Sequence, residues 1–489
     1  MIYETLLSVF QPFLLLIIIT GVSLGIIWGA LPGLSTTMAM ALLIGFTSTM
    51  SQDVAICFML GVYTGSVFGG AISAILINIP GTPDAVPTMI EGHALAKKGE
   101  AGTALGTSIF GSFIGNWVGI LLLIFLMPFL IAIALKFKSW EMFLLAIIGI
   151  SVCGTMCSGE LPIKGWIVGF IGILIAMVGI DPIYGVERYT FDNPNLYDGF
   201  SYIPILIGLF GICEIIKTLP NEEKSPIPKS IGKLFLPFSI LKKYIFTAFR
   251  SGLIGTFIGA LPGAGANVAS FLSYDIGRKQ ASKSEKDKWG KGSYEAIVCA
   301  EVANNANIGG SMLPTLALGI PGNAAAAALL AALTMKNVVV GPTIEIDHPG
   351  LVYFIYAVLL VANFFMYAMA IALIKPCIKL FSLSRGLLLP LIIPVCILGA
   401  YAARLNLSDL WVMFYAGIFG YFLTMSKYPT APAVLGVILG PMADENLRRS
   451  LMIFSEKNIS YFFEQYIGLI LLLILICVIY DGIKRLRVN

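Results

Sequence analysis

Charge and histidine are what this chain has least of. Asp, Glu, Lys and Arg make up 12% of its 489 residues, and His93 and His348 are its two histidines. Two histidines exclude a histidine-rich metal centre, and both read as residues of solvated loops. The sequence contains no G-x-x-x-x-G-K-[ST] and no H-E-x-x-H. Without a phosphate-binding loop the chain is not the ATP-hydrolysing part of a pump, and no reactive constellation marks it as a membrane enzyme. The eight cysteines fall mostly within apolar runs, so no disulfide framework is expected. Cys153 and Cys157 have helical i, i+4 spacing, but no neighbouring histidine completes a metal site. The strict apolar-polar alternation of a membrane β-barrel is absent too.

What the chain has instead is apolar length. It is 58% hydrophobic, with charges gathered in short clusters between runs that reach the roughly 20 residues a spanning helix needs. The fold class expected is an all-α polytopic membrane protein. The N-terminus lacks the charged start and small-residue cleavage site of a signal peptide, so the first helix should be retained. The net charge of +4 says little about a partner, and nucleic acid is not expected.

Four of the runs are broken by proline and glycine. Ala30-Leu31-Pro32-Gly33 and Asn78-Ile79-Pro80-Gly81 lie in the first half; Ala260-Leu261-Pro262-Gly263 and Gly319-Ile320-Pro321-Gly322 lie in the second. Proline removes a backbone donor and glycine permits close approach, so each run should break at these tips. The first pair aligns at an offset of 230 and the second at 241; the 11 extra residues fall in the charged loop near 278–291. Interrupted segments at corresponding positions of two halves point to a secondary transporter and to its substrate site. The division expected is a first repeat at 1–220 (hairpins 12–90, scaffold helices 104–217), a basic connector at 221–250, and a second repeat at 251–489 (hairpins 251–336, scaffold helices 351–480).

The connector and the 278–291 loop are rich in lysine and arginine and are placed in the cytoplasm. The 251–277 segment, basic at both ends, then reads as a re-entrant hairpin. Its first-half twin is flanked by Glu4 and Asp53, which suits approach from outside, so the repeats are expected to be inverted. Scaffold helices are expected near 104–126, 141–158, 163–180 and 200–217, then near 351–374 and 409–425, with Lys375, Lys379 and Arg385 in an inside loop. An additional crossing within 430–455 is left open. Lys484, Arg485 and Arg487 argue for an inside C-terminus, against strict inversion.

The tips are rich in small polar side chains and carry no lysine or arginine. Non-helical backbone at membrane depth must line a cavity or be buried in protein. The substrate-binding candidates are Pro32, Gly33, Ser35, Thr36, Thr37, Asn78, Pro80, Gly81 and Thr82 in the first half, and Pro262, Gly263, Asn267, Asn304, Asn305, Pro321, Gly322 and Asn323 in the second. An anion would be held by helix N-termini, with hydroxyl and amide donors adding specificity. Glu301, a carboxyl inside an apolar run, and Asn307 are the candidates for a coupling ion or proton. Asp84, just past a tip, reads as a solvated loop or cap residue. No cofactor or structural metal is expected, and sodium enters only as a coupling ion held by exposed carbonyls. A channel, or a carrier of another small anionic solute, is the alternative.

Several motifs carry a resemblance. Gly29 to Gly33, Asn78-Ile79-Pro80-Gly81-Thr82-Pro83, Glu91 to Gly102, Pro262-Gly263-Ala264-Gly265, Glu301-Val302-Ala303-Asn304-Asn305 and Leu318 to Gly322 closely resemble the large membrane subunit of tripartite tricarboxylate transporters. The likeness extends through Gly179-Ile180-Asp181-Pro182 to Leu439-Gly440-Pro441 and covers nearly the whole chain. It implies uptake of small carboxylates such as citrate across the cytoplasmic membrane, driven by a sodium or proton gradient, with elevator-like movement of the hairpins. It also implies a small membrane subunit and an extracytoplasmic solute-binding protein as partners. A homodimer and contact with membrane lipid fit the same expectation. Asp84 departs from the family pattern, which more often has a small residue there.

Overall fold

The computed structural model describes residues 2–31, 34–157, 161–218, 234, 238–381, 385–456 and 465–488. The described residues are mainly helical and include an antiparallel ribbon in which Gly179 pairs with Arg188 and Ile180 with Glu187. Six described helices are long and apolar enough to cross a membrane. The chain is a multi-pass α-helical membrane protein.

Each half begins with two broken segments. In the first half Pro12–Ala30 is followed by Thr36–Thr47, and Gln52–Ile77 by a short turn at Pro83–Ala85 and then Val86–Lys97. In the second, Ile245–Gly259 precedes Gly265–Gln280, and Tyr294–Leu318 precedes Ala324–Met335. Among the described residues, the breaks at Pro80-Gly81, Pro262-Gly263 and Pro321-Gly322 fall where proline and glycine put them. Asn78 and Gly319 end the two longest of these helices in the left-handed region, with φ of 58° and 69°. Ser35 and Asn323 open the arms that follow, their side chains accepting hydrogen bonds from the amides of Met38 and Ala326.

Two helices form the centre. Every residue from Ala55 to Ile77 and from Glu295 to Leu318 is buried. Their neighbours approach closely because small residues line the contacts. A Cβ on Gly25 would lie 2.4 Å from the Val62 carbonyl oxygen, which accounts for the glycine ridge of Pro12–Ala30 as packing. Tyr294–Leu318 is embraced by Ile245–Gly259 and by Ala101–Ala134.

A second group of helices flanks this centre. Ser139–Cys157, Pro162–Ala176 and Ala431–Glu456 pack together, with Tyr466–Val488 along the outside of Ser139–Cys157. Arg385–Arg404 and Ser408–Met425 pack with the helical stretch 202–218, which contains a π-helical turn at Gly208–Ile212.

Several boundaries differ from the sequence reading. The helix expected at 104–126 is Ala101–Ala134, continuing through Pro128. Lys375 and Lys379 lie within Leu351–Phe381 rather than in a loop, and Arg385 opens the next helix. Apolar residues carry the helix past charges that the positive-inside pattern had assigned to a loop. The 430–455 stretch is a helix, Ala431–Glu456, and it is not among the six apolar enough to cross a membrane. Most of the 221–250 connector lies outside the described residues; its last part already belongs to Ile245–Gly259.

The halves grip one another through Glu91. Its buried carboxylate accepts from the backbone amides of Gly290, Gly292 and Ser293 at 2.6, 3.0 and 2.9 Å and from the Tyr274 hydroxyl at 2.7 Å. An anion in a cradle of backbone N–H groups is a strong, charge-assisted tie. It fixes the start of Tyr294–Leu318, whose first turn is capped by Ser293.

Candidate functional site

The second-half tip is held from both sides. Glycine is required at position 322 because a Cβ there would lie 2.4 Å from the Gly259 carbonyl oxygen and 2.6 Å from the Ser311 Cα. The Gly322 carbonyl accepts from the Gly263 amide at 2.8 Å, so the two second-half tips touch. Beneath them Asn323 donates to the Asn307 side-chain oxygen at 2.9 Å and to the Tyr63 hydroxyl at 2.8 Å, and Tyr63 lies 3.0 Å from Ser311 Oγ. Tyr63 belongs to the first half. Sequence reasoning missed it, since a lone tyrosine in an apolar run looks like core.

The first-half tip is built alike. The Gly81 amide donates to the Gly70 carbonyl at 3.2 Å, and a Cβ on Gly81 would lie 2.0 Å from the Gly29 carbonyl oxygen. Thr82 follows, and then Asp84, which is 6% exposed and faces the side chains of Asn304 and Thr82. The expectation of a solvated Asp84 is therefore corrected: the short Pro83–Ala85 turn packs against Gly265–Gln280 and Tyr294–Leu318 and buries it. His93 is corrected as well. It sits on Val86–Lys97, half-buried, with Nδ1 3.1 Å from the Ile75 carbonyl.

Glu301 is wholly buried one helical turn before Asn304 and Asn305. Thr88 and Ser112, from two other helices, donate to its carboxylate oxygens at 2.5 and 2.8 Å. Asn305 donates to the Glu301 backbone carbonyl at 3.1 Å, which leaves its own side-chain oxygen without a partner. Neither side-chain polar atom of Asn304 has a partner, and the residue is 1% exposed. The hydroxyls of Thr36, Thr82, Ser108 and Ser270 and Oδ2 of Asp84 are buried and unpartnered too. A buried polar group without a hydrogen bond costs about 1–3 kcal/mol, which singles out Asn304, with Asp84 and Thr82 beside it, as the candidate for a ligand contact.

Not every candidate joins this cluster. Asn78 and Asn267 are exposed, Thr37, Pro80 and Pro262 are half-buried, and Ser35 spends its oxygen on the Met38 amide. Pro32 and Gly33 lie outside the described residues. Pro321 is buried at the tip, and Asn307 is occupied by Asn323. Thr88, Ser108 and Ser112 went unnoticed in the sequence, although Ser108 and Ser112 stand at i, i+4 in a largely apolar helix. Cys153 and Cys157 lie against the second tip, with Cys157 Sγ 3.4 Å from the Gly263 carbonyl.

Two broken helical pairs closing on buried, unpartnered amides are the makings of a carrier site, and the sequence comparison decides the family. Residues 15–435 match the Tripartite tricarboxylate transporter TctA family. The chain belongs to that family. TctA proteins are membrane components of tripartite transport systems and are not enzymes. An uncharacterized 52.8 kDa protein from the TAR-I ttuC' 3' region of Agrobacterium vitis is 34% identical over 470 residues, 96% of this chain and 93% of the relative. A second uncharacterized protein, from the TAR-II ttuC' 3' region of the same organism, is 34% identical over 234 residues, covering 48% of this chain and 96% of its own length. No solved structure matches.

Proposed function

We propose that this TctA protein is the large permease subunit of a secondary active importer. It takes up small tri- or dicarboxylates such as citrate, coupled to sodium or protons, across the cytoplasmic membrane. The observation that carries this reading is Asn304, buried with both side-chain polar atoms unpartnered beside the hairpin tips. Its amide N–H₂ can donate to a carboxylate, and Ser270 and Thr36 offer further free hydroxyls. The Thr36–Thr47 and Ala324–Met335 helices supply positive dipole ends at the tips. A site built from these groups holds an anion without a basic residue, which favours release as well as capture.

Glu301, held by the hydroxyls of Thr88 and Ser112, is the proposed proton carrier, and Asn307, which accepts from Asn323, is proposed to serve the coupling ion at the tip. We further propose that the halves are inverted repeats, 1–220 and 251–489, and that the hairpins move as an elevator against the flanking helices. A small membrane subunit and a solute-binding protein complete the system, the latter delivering substrate from outside.

The test is uptake of labelled citrate and C4-dicarboxylates into proteoliposomes, with and without both partners, under separate sodium and pH gradients. Gradient-driven accumulation that Asn304→Ala strongly reduces is expected. Equilibration without accumulation would indicate a channel, and full activity in Asn304→Ala would move the substrate elsewhere.

A further inference from the structure

The antiparallel ribbon and the turn after it present a surface that the carrier site leaves unused. Tyr184, Val186, Tyr189 and Phe191 are 61%, 53%, 62% and 84% exposed, and all fall within 184–191. They stand on a braced base. Asp181 is buried, accepts from the Ile183 amide at 2.9 Å and pairs with Arg448, while Arg188 pairs with Asp444 at 2.9 Å. Thr190 donates to Glu187 at 2.7 Å. Tyr189, Phe191 and Asp192 have φ of 53°, 50° and 55°, a left-handed backbone that residues with a Cβ rarely adopt. Strain of this kind persists only where the surroundings hold it, and here it leaves two aromatic rings exposed rather than buried in a core.

The ribbon lies opposite the basic segments. Lys164, at the start of Pro162–Ala176, donates to the Ser426 carbonyl at 3.0 Å beside Lys427, and the ribbon follows the other end of that helix. After the ribbon, the helical stretch 202–218, about 25 Å long at 1.5 Å per residue, leads to the lysine-rich connector. With the lysine-rich segments in the cytoplasm, both routes put the ribbon outside.

Its charges then decide what it meets. Residues 180–200 hold four carboxylates and a single basic residue, Arg188, which is already paired. Segments that bind membrane surfaces are instead rich in lysine and arginine, so an anionic lipid surface would repel this one. Aromatic anchors with a polar rim are the make-up of a protein-binding surface. Beside the base of the ribbon a cavity of about 340 Å³ is lined by Tyr197 and by Arg188, Asp198, Asp444 and Glu445. Three carboxylates against one guanidinium suit a basic side chain from a partner.

We propose that the 180–192 ribbon is the docking surface for the extracytoplasmic solute-binding protein. Tyr184, Tyr189 and Phe191 are its apolar anchors, and Glu187, Asp192 and Asp198 face basic residues of that partner. Because the ribbon is already ordered by its braces, docking loses little conformational entropy. The proposal rests on the reading that such a protein delivers substrate, and adds where it lands.

The full chain is reconstituted into nanodiscs with the small membrane subunit, and the solute-binding protein of the same system is passed over it. Tyr189→Ala combined with Phe191→Ala should weaken binding at least roughly tenfold, the scale of interface hot spots, with the melting temperature unchanged. Asp192→Lys should slow association and flatten its dependence on salt. Photocrosslinking from Tyr189→p-benzoylphenylalanine should give adducts with the solute-binding protein.

Wild-type affinity in both variants, no saturable binding by wild type, or adducts only with lipid, the small subunit or a second copy of this chain would each overturn the surface. Docking that the variants weaken, with no carboxylate ever accumulated, would leave the surface standing and overturn the transport reading. Gradient-driven uptake at the wild-type rate in the double variant would do the reverse.

Discussion

Lys98 and Lys336 make the same contact from opposite halves of the chain. Lys98 Nζ donates to the Lys291 carbonyl at 2.6 Å, and Lys336 Nζ donates to the Met50 carbonyl at 2.6 Å and the Ser48 carbonyl at 2.8 Å. Met50 and Lys291 are 241 residues apart, the separation of Gly81 and Gly322. Each lysine stands at the end of a hairpin's second arm and closes the loop that precedes the other half's central helix. Such reciprocity is what the proposed inverted repeats require.

The two ties should differ in strength. Lys98 is exposed and Lys336 is half-buried with two acceptors. Lys336→Ala should cost about 1.5–3 kcal/mol, because charged hydrogen bonds shielded from water are the stronger ones. Lys98→Ala should cost under about 1 kcal/mol. Melting temperatures of the purified variants check this, and equal losses would contradict the burial argument.

Gly322→Ala should damage both stability and transport. The added methyl meets backbone rather than a movable side chain, and overpacking of this kind costs about 1–3 kcal/mol. Reduced uptake together with a lowered melting temperature is expected. Wild-type kinetics would show that the tips do not close as tightly during transport as they do here.

Tyr63→Phe removes the hydroxyl that Asn323 donates to and that lies against Ser311. Leaving a buried amide short of a partner should cost about 1–3 kcal/mol. Combined with Asn323→Ala, the loss should be less than the sum of the single losses, since both variants break one network. Additive losses in a denaturation series would separate the two residues.

Glu301→Gln preserves shape and removes the ionisable group. Uptake that no longer responds to an imposed pH gradient is the expected outcome in proteoliposomes. A variant with the wild-type pH response would remove Glu301 from the proton path and leave it as the anchor of Thr88 and Ser112. Glu301→Ala should transport little under any gradient, because it strands both hydroxyls.

Much of the site was legible because breaks in apolar runs are written locally. A proline beside a glycine ends a helix wherever it lies, so the four tips could be placed without knowing what surrounds them. Asn304 and Asn305 also stood out, since two amides in an apolar run demand partners. The structure buries both, and Asn304 keeps neither side-chain polar atom hydrogen-bonded. Asp84 was misread for the opposite reason: three residues after a tip, its burial depends on the Gly265–Gln280 helix, which is distant in sequence.

The sequence by itself determined the membrane environment, the α-helical class, the four break points and the small residues that let the central helices touch. These follow from hydrophobicity, backbone stereochemistry and side-chain size, which act within one segment or between periodic faces. Only the tertiary structure decided that Tyr63 joins Asn323, that Thr88 and Ser112 hold Glu301, and that Asp84 is buried facing Asn304. Those pairings bring together residues as much as 260 positions apart, and a side chain's neighbours at such separations are set by how helices dock.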